Sequence, residues 1–218
     1  MSEALHVSTG VVESVNVGSA RPVPWGSLKR SAIDKRPVDG PVRVLPSGLE
    51  PDEIADLVHH GGVDQAVYAF AAEDLSRWSD EFGRPIPPGG FGENLTTRGV
   101  DLNDVHIGER WRIGSVLLEA ATVRIPCSVF AGFVDQPRWV RRFTEEGRPG
   151  VYFRVIETGT LRAGDSIDIV EARSHGVTID VTFRALTTER SLLPRLLQEP
   201  RMAAKARERA ETYVVRTG

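Results

Sequence analysis

Glycine and proline cut the apolar stretches of this chain into short pieces, and that punctuation constrains its fold more than any other feature. With 21 Gly and 14 Pro among 218 residues, short strands joined by tight turns are favoured over the long strand-and-helix units of an open parallel sheet. Val11 to Val17 alternates apolar and polar residues after the initial doublet, the period of a half-buried strand, and Gly18 ends it. Ala66 to Phe70 reads as a strand and Ala71 to Phe82 as an amphipathic helix, with Leu75, Trp78 and Phe82 at i, i+3 and i+7. Arg110–Ile113 and Val116–Ala120 flank Gly114-Ser115, a two-residue hairpin turn in which glycine accepts a positive φ. The second of these strands is expected to run on to Arg124 and Cys127. Val151–Glu157, the turn at Thr158-Gly159, and Ser166–Val170 after Ala163-Gly164-Asp165 predict a second hairpin.

Many short strands of this kind imply a barrel. From His175 the pattern changes. Val177, Val181 and Ala185 with Ile179, Phe183 and Leu186 predict one short helix, Leu192 to Leu197 a second limited by Pro194, and Met202, Ala206, Ala210 and Val214 a third. The expected fold is mainly β with α additions: a β-barrel of mostly antiparallel strands over residues 1–173, then a small three-helix extension over 174–218. That tail is too apolar to stand free, so it docks on the barrel or on a second subunit, which brings a homodimer within expectation.

Composition excludes some functions. The chain is 40% hydrophobic and 26% charged, an ordinary globular balance. A formal net charge of -3 argues against a general polyanion binder. Trp139, Val140 and Phe143 alternate with Arg138, Arg141 and Arg142, but at helical spacing the aromatics read as a buried face and the arginines as its solvated back, so no nucleic-acid partner is expected. No run approaches the ~18 apolar residues a membrane span needs, and Met1 to His6 lacks a secretory pattern. One cysteine fits a reducing compartment, so a cytoplasmic location is expected.

Cys127 is that cysteine, in Arg124-Ile125-Pro126-Cys127. Arg124 places a cation near enough to favour the thiolate, which is the ligand a thiophilic metal wants. Free cysteine also packs as a small hydrophobe, and the local residues alone do not separate the two readings. Five cations between Arg21 and Pro41 (Arg21, Lys29, Arg30, Lys35 and Arg36) lie on a proline-rich, extended stretch that can cradle an anion or simply face water. In His59-His60-Gly61-Gly62 the glycines let the backbone turn tightly against a ligand, and the histidines can donate protons near neutral pH. A zinc site is disfavoured, because no Cys-x-x-Cys or His-Glu-x-x-His accompanies them. A rigid Pro85–Gly90 loop delivers Phe91-Gly92-Glu93-Asn94-Leu95, where Asn94 offers donors and an acceptor to a heterocycle or closes a turn.

Ser31-Ala32-Ile33-Asp34-Lys35-Arg36-Pro37-Val38, His59-His60-Gly61-Gly62, Phe91-Gly92-Glu93-Asn94-Leu95, Arg124-Ile125-Pro126-Cys127 and Arg148-Pro149-Gly150-Val151-Tyr152 occur in the order seen in MOSC-domain proteins of the YiiM type, and the chain resembles them over nearly its whole length. MOSC denotes the module at the carboxyl end of molybdenum cofactor sulfurases. One departure stands out: the family pattern has glycine where this chain has Pro51, which leaves the course near Asp52 open. The resemblance implies a molybdenum cofactor of the molybdopterin type, its metal held by the pterin dithiolene and by Cys127. It implies cofactor contacts from Ser31, Lys35, Gly61, Gly62, Phe91, Gly92, Asn94 and Arg124, with Arg36 a further phosphate partner. The implied activity is reduction of N-hydroxylated compounds such as hydroxylaminopurines or amidoximes, with His59, His60 or Glu93 as proton donor. Lacking a cysteine framework for an iron–sulfur cluster, the chain would take electrons from an external flavin or iron–sulfur protein. The alternative is a sulfur carrier with a persulfide on Cys127.

Overall fold

The computed structural model describes residues 8–25, 29–55 and 61–217. Thirteen strands occur: β1 (Ser8–Val17), β2 (Arg21–Pro22), β3 (Arg30–Ser31), β4 (Arg36–Pro37), β5 (Val42–Leu45), β6 (Gly48–Glu50), β7 (Val67–Ala71), β8 (Leu95–Arg98), β9 (Arg110–Ile113), β10 (Val116–Val123), β11 (Val151–Glu157), β12 (Gly159–Leu161) and β13 (Ser166–Glu171). The helices are α1 (Ala72–Phe82), α2 (Ser128–Val134), α3 (Trp139–Glu146), α4 (Ile179–Leu186), α5 (Leu193–Leu196) and α6 (Ala204–Thr217).

The main sheet runs β13-β9-β10-β11-β7-β8-β1, and a β13–β1 pairing closes it into a seven-stranded barrel to which β4 adds at the end of β1. Closure removes the unpaired edges that a sheet of short strands would otherwise expose. Every pairing is antiparallel except β7–β8, and α1 supplies the crossover that a parallel pair requires. The expected mainly-β barrel of mostly antiparallel strands followed by small helices is the fold observed.

The hairpin at Gly114-Ser115 is present, with Val116 opposite Ile113 and Gly114 at φ +55°. Elsewhere the expectations are corrected. β11 and β13 do not pair with each other: β12 intervenes and joins β5, while β13 crosses to β9 and β1. β10 ends at Val123, so Cys127 is not on the strand but caps the N-terminus of α2. Pro126, with no N–H to give a ladder, stops the strand before it. The helical stretch expected between Phe130 and Gly147 is two helices, broken where Asp135 and Arg138 take left-handed conformations. Pro194 lies in the first turn of α5 and so begins that helix rather than limiting it.

All eight residues of β10 are buried, which one barrel face cannot explain. Val116 and Leu118 pair with Ile113 and Trp111 on the inner face. Glu119, on the outer face, meets Arg110 Nε at 2.8 Å and Arg154 Nη1 at 2.8 Å, with Arg201 Nη1 at 3.4 Å. Ala203 N donates to Ala121 O, so the C-terminal segment covers that outer face, and the barrel and tail share one hydrophobic core. The tail therefore docks on its own barrel.

Phe143 of α3 sits at the centre of the aromatic part of that core. Its ring lies 5.1 Å from Phe130, 5.5 Å from Trp139, 6.3 Å from Phe91, 6.4 Å from Phe70 and 6.5 Å from Phe183. Because it touches the barrel, α2 and α4 together, Phe143→Ala leaves a cavity that no single element can close. It is expected to cost about 3–5 kcal/mol in urea unfolding; a loss below about 1 kcal/mol would mean the cluster is not a shared support.

Candidate functional site

A cavity with about 690 Å³ of empty space, part of it open to solvent, lies at one end of the barrel. Ser31, Lys35, Gly61, Gly92, Asn94, Arg124 and Cys127 line it, together with Asp52, Gln65, Tyr68 and Tyr152. The sequence motifs quoted for Ser31–Lys35, the 91–95 loop and the Arg124–Cys127 segment thus converge on one space. His59 and His60 lie outside the described residues.

Arg124 follows β10 and is 7% exposed. Its Nη1 donates to Phe91 O at 2.6 Å, and its guanidinium carbon lies 3.9 Å from the Phe130 ring centroid and 5.0 Å from that of Tyr68. Among the described residues no carboxylate pairs with it. Burial works against its charge, but the neighbouring Tyr152, Tyr68 and Cys127 raise its pKa above the ordinary guanidinium value. It is a permanent cation with no neutralising carboxylate among the described residues, set beside the thiol. Burial raises both Tyr68 and Tyr152, so their hydroxyls stay protonated near neutral pH.

Lys35 is different. Its ammonium reaches both oxygens of Asp52 at 2.5 Å, with the two side chains 9% and 7% exposed. Burial pulls its pKa below the ordinary lysine value, and Asp52 opposes that. Asp52 also accepts from Gly18 N at 2.7 Å and Asn94 Nδ2 at 2.9 Å. Lys35 is thus already neutralised, and Arg36 is an exposed surface residue paired with Asp34. Ser31 Oγ accepts from Ile33 N at 3.2 Å, and its hydroxyl proton has no acceptor among the described residues.

The structure redirects two expected roles. Asn94 spends both amide N–H groups internally, donating to Asp52 and to Asn16 O while accepting from Tyr68 N at 3.2 Å, so it holds the cavity wall and has no donor left for a heterocycle edge. Glu93 is fully buried and not on the cavity. It accepts from Gly89 N at 2.6 Å, Phe91 N at 3.0 Å and Thr96 Oγ1 at 2.9 Å, which folds the loop that presents Gly92. Its carboxyl, raised by burial against those hydrogen bonds, is sealed from any ligand. Phe91 likewise belongs to the aromatic core behind the cavity. Gly92, at φ +78°, approaches so closely that a Cβ there would lie 2.8 Å from Ile33 Cγ1; Gly62, at φ +84°, opens the turn that carries Gln65.

Asp52, Gln65 and Tyr68 were not singled out from the sequence, and Tyr152 only as part of a motif. The Cα register pairs Tyr152 with Tyr68 across β11 and β7, with ring centroids 4.7 Å apart.

The donor set suits a metal brought in by a chelating, anionic cofactor. Among the described residues no group of three or more His, Cys, Asp or Glu is placed to hold a metal ion. A metal at Cys127 therefore needs most of its ligands from elsewhere. The unneutralised Arg124 offers such a cofactor its counter-charge, and Ser31 a hydroxyl donor.

These features define a mixed seven-stranded barrel whose terminal cavity carries one thiol beside a buried guanidinium that no described carboxylate pairs. The chain belongs to the MOSC domain family: residues 56–168 match that domain. It is 31% identical over 174 residues to the uncharacterized protein YflK of Bacillus subtilis, covering 79% of each chain. It is 34% identical over 167 residues to a protein named Reductase from Gibberella moniliformis, of which those residues span only 29%. The crystal structure of YiiM from Geobacillus stearothermophilus superposes with a TM-score of 0.80 at 28% identity, covering 94% of this chain and 99% of that one. No helix among the described residues is long and apolar enough to cross a membrane.

Removing the Asp52 charge tests the Lys35 pair. Asp52→Asn leaves a buried ammonium uncompensated, an expected cost of about 3–5 kcal/mol at neutral pH. Lys35 then titrates lower in the folded than in the unfolded chain, so the unfolded state binds more protons and the variant's stability rises as pH climbs through the folded pKa. Urea unfolding from pH 7 to 10 reads both effects, and a pH-independent deficit would contradict the assignment.

Proposed function

We propose that this protein binds a molybdenum cofactor of the molybdopterin type through Cys127 and reduces N-hydroxylated small molecules to the corresponding amines. The observation that carries the reading is the single thiol on the cavity wall beside Arg124, a buried cation without a carboxylate partner among the described residues. A metal-bound thiol must be deprotonated, and the adjacent guanidinium lowers the cost of that charge. A fold shared with MOSC relatives, one of them named a reductase, supports the same reading.

When bound, the cofactor would supply the two-electron chemistry that breaks an N–O bond, and an external flavin or iron–sulfur protein would restore the electrons. The net conversion takes R–NH–OH with two electrons and two protons to R–NH2 and water. The chain's own residues do the rest. Cys127 anchors the metal. Arg124 and Ser31 offer charge and a hydroxyl to anionic cofactor groups. The Lys35–Asp52 pair, held by Asn94 and Gly18, fixes another part of the wall. Tyr68 and Tyr152, both protonated, present an aromatic face to a planar substrate.

Cys127→Ser removes the ligand while leaving the neighbouring charges. In protein made with molybdenum in excess, the metal content of the variant is expected to fall by more than the roughly 10- to 100-fold that loss of an outer-shell partner costs. N-reductive turnover with a supplied electron donor should fall with it. Metal analysis beside the turnover assay decides: a serine variant that still reduces an amidoxime sinks the proposal, and labile sulfur on wild-type Cys127 with no molybdenum would favour a persulfide carrier.

A further inference from the structure

A second cleft, about 780 Å³ and open to solvent, adjoins the thiol cavity. Gln65, Arg124 and Tyr152 line both spaces. The far side of the cleft is α6, which contributes Lys205 and Arg209. These residues are one turn apart on the flank of the stripe that buries Ala206 and Ala210 against the barrel, so both cations are held over the same opening. Arg209 is exposed and forms no ion pair with another described residue. It also lines a groove further along α6, where the cleft meets the surface.

The wall between the two spaces supplies an independent observation. Gln65 Oε1 is buried and accepts no hydrogen bond from another described residue. Such an acceptor is costly unless a ligand brings it a donor. The turn that carries Gln65 is anchored at its neighbour Asp64, which accepts from Arg154 at 2.7 and 3.0 Å and from Ala204 N at 3.1 Å.

We infer that this cleft is a substrate subsite for a planar heterocycle with an N–H edge and a phosphate tail, such as a nucleoside monophosphate. The N–H edge meets Gln65, the ring lies along Tyr152, and the phosphate reaches Arg209 and Lys205. The inference rests on the reductase reading for placing the reacting end of that substrate toward Cys127. Cofactor phosphate shares the same chemistry. The cleft is assigned to substrate because its cations are exposed at a mouth where a ligand can come and go.

The test is calorimetric titration of the full chain with adenosine 5′-monophosphate, adenosine and inorganic phosphate. The monophosphate is expected to bind at least about 10-fold more tightly than adenosine at low ionic strength, from charge-assisted bonds to the phosphate. Salt and Arg209→Ala should each shrink that advantage to about threefold or less. Gln65→Ala should weaken monophosphate and adenosine alike. Equal affinity for the two ligands, or an advantage that survives Arg209→Ala, overturns the subsite. So does loss of monophosphate binding once the protein is loaded with a phosphate-bearing pterin, which would give the cleft to the cofactor. The wild-type chain separates the two readings: if it binds the nucleotide but reduces no N-hydroxy compound, the reaction is refuted and the subsite stands.

Discussion

A guanidinium withheld from water is the constraint around which the site is arranged. Removing Arg124 from solvent is expensive unless its donors and its charge are met. The fold meets them with a backbone carbonyl at Phe91, the Tyr68 hydroxyl, and the rings of Phe130 and Tyr68. These partners come from the 91–95 loop, β7 and α2, so one side chain ties three parts of the cavity wall to the end of β10. None of them carries a full negative charge. In a partly desolvated cavity such a cation acts over several ångströms, and the Cys127 thiol is among the groups that feel it.

The two buried cations of the cavity illustrate how partner chemistry decides role. Lys35 and Arg124 are similarly enclosed. Lys35 meets both oxygens of Asp52 at hydrogen-bond distance, so its field is cancelled at its source and its contribution is to hold the 31–35 and 52–55 segments together. Arg124 retains its field because its neighbours are dipoles and ring faces. Of the two, Arg124 is therefore the stronger electrostatic target for an anion entering the thiol cavity, even though the sequence offers a cluster of cations between residues 21 and 36. Arg36 shows the other fate of such charges, paired with Asp34 at the surface.

Much of the fold could be read before any coordinates. α1, the β9–β10 hairpin and β7 follow directly from apolar period and turn chemistry, because those signals are local. Pairing partners are not local. Thr158-Gly159 marks no reversal, since Glu157 lies opposite Leu117 and Thr160 O accepts from Ser115 N as the chain runs straight on, and nothing in the sequence says that β12 joins β5 or that β13 returns to β1 and closes the barrel. Within the site, Ser31, Lys35, Gly92, Arg124 and Cys127 reach the cavity as expected. Glu93 and Asn94 are taken up by internal hydrogen bonds for one reason. A carboxylate or amide in a tight loop satisfies nearby backbone donors first, and the sequence does not reveal how many it will find. Gln65, Tyr68 and Tyr152 gave little warning, since a glutamine in a short turn and tyrosines in buried strands look like ordinary structure.

The helical extension has a part in this that its composition hides. Glu119 on the outer face of β10 collects Arg110, Arg154 and Arg201, and Arg154 in turn holds Asp64, whose other oxygen accepts from Ala204 N at the start of α6. This chain of charges runs from the barrel wall through the turn that carries Gln65 to the helix that carries Arg209. A disturbance at the docking of α6 thus reaches the cavity through Asp64 without any change at Cys127. The extension is better understood as the second wall of the binding region than as a separate module, since the barrel by itself would leave Gln65 and Tyr152 facing solvent with nothing opposite them.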